Sequence, residues 1–98
     1  MQTFIFLCKF TAEGMKGMRE GPQRRQRARD AIERLGGRSV GSWLTQGRYD
    51  LVLLVEFPDE KAALSFALGT GMSGRLTTET LRAFTPDESD SIVASLPG

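Results

Sequence analysis

Apolar side chains in this chain gather in two unbroken runs, Phe4-Ile5-Phe6-Leu7-Cys8 and Leu51-Val52-Leu53-Leu54-Val55. A strand with one solvated face alternates apolar and polar residues, so a run that is apolar at both parities predicts a strand covered on both sides. Residues 3–10 and 49–57 are therefore expected to be the central strands of one sheet. Elsewhere the period changes. Ala28, Ala31, Ile32 and Leu35 recur at helical spacing. Pro22 suits a first helical position and Gly36-Gly37 a stop, which predicts a helix over 22–35. Val40, Ser42 and Leu44 alternate with Gly41 and Trp43 in a second strand, and the turn at 45–48 folds it back on the third as a hairpin. Pro58-Asp59-Glu60 starts a second helix with acids in its first turn, and Gly69 closes it. Residues 76–84 form a fourth, more polar strand. Thr85-Pro86-Asp87-Glu88 is a capping box for a short helix whose inner face would be Ser89, Ile92, Val93 and Leu96. Residues 11–21, with Gly14, Gly17 and Gly21, read as a loop carrying Met15 and Met18, either a lid over a pocket or satellite packing.

The resulting order, βαββαβ plus a C-terminal helix, is a ferredoxin-like α+β fold with antiparallel sheet order 4-1-3-2. Right-handed crossovers place both connecting helices on one face of the sheet. The other face then needs a cover, and a second copy of the chain supplies it. The expectation is a homodimer or multiple of dimers, paired sheet to sheet as a dimeric α+β barrel.

Composition narrows the function classes. Ninety-eight residues make one domain, 1–98. Thirteen basic against twelve acidic residues argue against a protein built mainly to grip nucleic acid or an anionic membrane. Residues 16–34 are locally basic, with seven basic and three acidic side chains. RNA-binding domains of this topology stack bases on aromatic residues of strands one and three, whereas strand three here is aliphatic from Leu51 to Val55. Nucleic acid is thus not the expected partner. The chain has no histidine, which removes Ser-His-Asp and Cys-His nucleophilic sites and nearly every zinc or iron site. No phosphate loop or dinucleotide fingerprint is present, so no cofactor and no metal is expected. The single cysteine, Cys8, reads as a buried small hydrophobe. No secretory leader or membrane span is visible, and a cytoplasmic location is the expectation.

Two groups of residues are candidate sites. The first is the turn Gly47-Arg48-Tyr49-Asp50. Strand order suggests that Arg82, near the end of strand four, approaches Arg48 and Asp50, so that Arg48, Tyr49, Asp50 and Arg82 would hold a carboxylate or phosphate. The same residues also suit a purely architectural turn: positive φ at Gly47, Tyr49 as cover, Asp50 as backbone acceptor. The second group is Lys9 and Glu56, read as ends of central strands, with Thr78 beside them. It would be either a proton-transfer pair or a structural ion pair.

Lys9-Phe10-Thr11, Gly36-Gly37, Gly47-Arg48-Tyr49-Asp50, Glu56-x-Pro58-Asp59 and Thr78-Glu79-Thr80-Leu81-Arg82-Ala83-Phe84-Thr85-Pro86 together resemble the bacterial GYD domain family over essentially the whole chain. That resemblance implies a small dimeric α+β barrel of unknown function, with no established catalytic residue. Thr45 to Leu51 and Thr78-Glu79-Thr80 are also similar to the effector-binding module of leucine-responsive and asparagine-activated regulators, which implies amino-acid sensing at a subunit interface. The functional expectation is a homo-oligomeric small-molecule-binding or sensing protein whose ligand is a small anion such as an amino acid or organic acid. A cofactor-independent enzyme of isomerase or monooxygenase type, or a structural assembly subunit, is the alternative.

Overall fold

The computed structural model describes residues 1–98. Four strands, β1 (Gln2–Phe10), β2 (Arg38–Leu44), β3 (Leu51–Phe57) and β4 (Leu76–Ala83), form one sheet in the order β2-β3-β1-β4. This is the expected 4-1-3-2 order counted from the other edge. Every neighbouring pair is antiparallel, with Phe6 opposite Leu53 on β3 and Thr80 on β4. α1 (Ala12–Lys16), a 3₁₀ turn (Met18–Glu20) and α2 (Gly21–Arg34) join β1 to β2; α3 (Glu60–Met72) joins β3 to β4; α4 (Pro86–Ala94) ends the fold.

Period-two alternation divides the central strands between two environments. Phe4, Phe6 and Cys8 of β1 and Val55 and Phe57 of β3 are buried against Ile32 of α2 and Ala62, Ala63 and Phe66 of α3. The intervening Ile5, Leu7, Val52 and Leu54 face away from the helices and are only half-buried, beside the exposed Trp43 and Leu81. The core is concentrated at one end of the sheet, where the rings of Phe6 and Phe66 lie 5.2 Å apart edge to face and Phe57 and Phe66 5.8 Å apart. Such aromatic pairs add about 0.5–1.5 kcal/mol each beyond their buried area. Gly37 permits the close entry of β2 into this region, since a Cβ there would meet the Phe57 ring at 2.6 Å and the Glu56 carbonyl at 2.7 Å.

The structure differs from the sequence reading at five places. Residues 11–21 are largely helical, because the Thr11 hydroxyl accepts the Gly14 N–H at 3.1 Å and nucleates a turn too short to show a period. α3 is capped by Asp59, which accepts the Ala62 N–H at 2.9 Å, and it runs through Gly69 to Met72. β3 begins at Leu51 rather than Tyr49, and β2 carries a bulge between Ser39 and Gly41 that leaves Val40 exposed. Finally, the apolar stripe of α4 is not an inner face. The capping box forms as expected, but no residue of α4 is buried and Val93 and Leu96 are each 63% exposed. α4 leads away from the sheet, and the molecule measures 53 × 31 × 19 Å with a radius of gyration of 14.9 Å, against about 13 Å for a compact chain of this length.

Candidate functional site

The hairpin turn is held from within. Thr45 donates its backbone N–H to Asp50 O (2.9 Å) and its hydroxyl to Tyr49 O (2.7 Å). Gly47 adopts φ +108°, a conformation that L side chains rarely take. Asp50 donates its N–H to Cys8 O at 2.8 Å, and its carboxylate accepts the Phe10 N–H at 2.9 Å. The carboxylate thereby continues the β1–β3 ladder one step beyond the last paired residues, Cys8 and Leu51. Tyr49 donates its phenol to the Glu79 carboxylate, bridging from the turn to β4. That hydrogen bond, with lesser contributions from desolvation and the Glu79 charge, raises the Tyr49 pKa above the ordinary phenol value. Arg48 is exposed and makes no ion pair.

Arg82 lies at the other end of the sheet. β3 and β4 both run antiparallel to β1, hence parallel to each other, so the start of β3 lies level with the start of β4 and not with its end. Arg82 is opposite Phe4, six residues or about 20 Å along β1 from Phe10. Its guanidinium stacks 4.3 Å from the Phe84 ring centroid and 5.5 Å from that of Phe4, and donates to Thr3 O (3.3 Å) and to Ala83 O. The four-residue cluster Arg48-Tyr49-Asp50-Arg82 is therefore not assembled. Lys9 and Glu56 are separated by the same logic: β1 and β3 are antiparallel, so their C-terminal residues lie at opposite ends. Glu56 sits opposite Thr3 and is bonded to Arg38 (2.9 Å), whereas Lys9 sits opposite Thr77, with Thr78 one step along opposite Cys8. What the structure does bring to one end is Lys9, Tyr49, Asp50, Thr78 and Glu79.

On the helix side of that same end lies a cleft of about 680 Å³ between α2 and α3, floored by Phe10, Leu51, Leu53 and Leu76. Small side chains in its lining help to leave that space open: Ala28 and Ala31 of α2, Ser65 and Gly69 of α3, and Ser42 of β2. α2 and α3 pack on the strands and hardly on each other. Arg25 and Arg27 of α2 and Arg75 before β4 also line the cleft, and none of the three makes an ion pair. Arg24 is committed elsewhere, donating to Gly14 O (3.0 Å) and lying 3.7 Å from Glu20. Met18 lines the cleft, while Met15 is 53% exposed. Cys8 contributes to the floor, and burial pushes its thiol pKa up to about 11. None of the sequence-derived site residues lines this cleft. Its only sequence signal was the small side chains at core-facing helical positions, which also suit tight packing.

Sheet order, crossover helices and helix-side cleft together define a ferredoxin-like α+β protein with a partly filled interior. No helix is long and apolar enough to cross a membrane. The family model of the GYD domain matches residues 4–93, and the chain belongs to that family. Gly47, Tyr49 and Asp50 each serve the hairpin turn or tie it to the neighbouring strands. No curated protein and no solved structure matched the chain.

Proposed function

We propose that this protein is a homodimeric small-molecule-binding module, with its ligand in the cleft between α2 and α3 and its second copy on the helix-free face of the sheet. The cleft is the observation that carries the reading. A volume of about 680 Å³ with a largely apolar lining and a few polar groups is what ligand sites present. An unfilled apolar cavity otherwise costs stability in proportion to its size. The proposed partner rests on Ile5, Leu7, Val52, Leu54, Trp43 and Leu81, an apolar group on the face that no helix covers.

Binding is favoured over catalysis by the state of the reactive group that the cleft contains. Cys8, with its pKa near 11, is a protonated thiol at neutral pH and a poor nucleophile. The turn at 45–50 contributes by fixing the β1–β3 end that floors the cleft.

Native mass spectrometry of the gently purified protein, with thermal melts across a panel of organic acids, amino acids and neutral apolar compounds, tests the reading. Expected are a small-molecule adduct or an upward melting shift with one class, and loss of that shift in Ala31→Trp, which fills the cleft. A panel with no adduct and no shift would sink the binding reading.

A further inference from the structure

We infer, building on that binding reading, that the cleft takes an amphipathic organic anion: a monocarboxylate with an extended apolar body and no ammonium group. Charge decides the class. Arg25, Arg27 and Arg75 lie along the cleft, free of ion pairs, and no aspartate or glutamate lines it. Of the acids beside it, Asp50 is committed to the Phe10 N–H of the floor at 2.9 Å, and Glu20 lies 3.7 Å from Arg24. A cleft with one sign of charge and low-dielectric walls draws the opposite sign, and a guanidinium fork matches a carboxylate in two parallel hydrogen bonds.

The floor sets the rest of the ligand. Phe10, Leu51, Leu53, Leu76 and Phe66 offer apolar surface, so the ligand's body gains by leaving water. The other polar side chains along the cleft are the neutral hydroxyls of Ser42, Ser65, Thr70 and Ser73. An α-ammonium would find no carboxylate to pair with and would lie among like charges, so free amino acids are rejected.

Isothermal titration of the intact protein with four probes separates the possibilities: decanoate, decan-1-ol, decylammonium and leucine. Decanoate should bind saturably and more weakly at high salt, at least about tenfold more tightly than the neutral or cationic chain, the worth of one charge-assisted hydrogen bond. The double variant Arg25→Gln/Arg27→Gln, or Arg75→Gln, should remove about that factor. Arg29→Gln, exposed on α2 outside the cleft, should not. If decan-1-ol or decylammonium binds as well as decanoate, or leucine binds best, the anion assignment is overturned while binding survives. If no probe binds and Ala31→Trp changes nothing, the assignment falls together with the binding reading.

Discussion

Asp50 is where two strands are tied from a turn, since its carboxylate takes the Phe10 N–H that the ladder leaves without a partner. Replacing it by alanine should lower stability by about 1–3 kcal/mol, the cost of a half-buried donor left unsatisfied. Asp50→Asn, which retains an oxygen, should cost less, and denaturant melts of the two variants measure the difference. Tyr49 is the chain's one tyrosine, so its ionisation can be followed alone by absorbance. Donation to Glu79 raises its pKa, so that contribution to stability is complete below the ordinary phenol range and fades as pH rises through the raised value. Wild type should ionise at higher pH than the Glu79→Gln variant; coincident curves would mean that the bridge does not form in solution. The sequence identified Asp50 as a backbone acceptor because turn chemistry is local. Its donor, forty residues away, was beyond local reasoning, and Arg82 was misplaced by reading the relative direction of two non-adjacent strands wrongly.

Among the elements, α4 shows most clearly what local pattern does and does not determine. Thr85 and Glu88 exchange hydrogen bonds with each other's backbone, at 3.3 and 2.8 Å, as their spacing of three requires. Bonding to the Thr85 N–H, then to its side chain, lowers the Glu88 pKa. The sign follows from that: a depressed carboxylate stabilises above its unfolded pKa, and the contribution is lost as pH falls through the folded value. Circular dichroism on acidification should show wild type losing helical signal that the Glu88→Ala variant already lacks at neutral pH. The box was legible because it is contained in four residues. The fate of Ile92, Val93 and Leu96 was not, because spacing predicts that side chains share a side of the helix but cannot say what lies against them. α1 escaped notice for the opposite reason, being too short to display any period.

For the whole molecule, order and pairing of the strands followed from the two apolar runs and the crossover rule, and the GYD resemblance agreed with the family match over residues 4–93. The cleft depends on what is missing between two helices separated by twenty-five residues, 35–59, so no local pattern announced it. The two-sided apolarity of β1 and β3 motivates the dimer. Sedimentation should give twice the 10.8 kDa chain mass at micromolar concentration, and Leu54→Glu should give the monomer. Trp43, 53% exposed in the single chain, should emit at shorter wavelength in the dimer and shift to the red on dilution. A monomer whose tryptophan is indifferent to dilution would remove the helix-free face as an interface.

The crowding of Phe4, Phe6, Phe57 and Phe66 at one end of the sheet, with the cleft at the other, implies two different clocks within the same strands. Amide protons around Phe4, Phe6 and Val55 should exchange with solvent only when the whole chain opens. Those around Phe10, Leu51 and Leu76, with less packing above them, should exchange through local opening at lower free energy. Occupation of the cleft would slow the second set and leave the first nearly unchanged, so β1 would report a bound molecule at one tip while its other tip stayed silent.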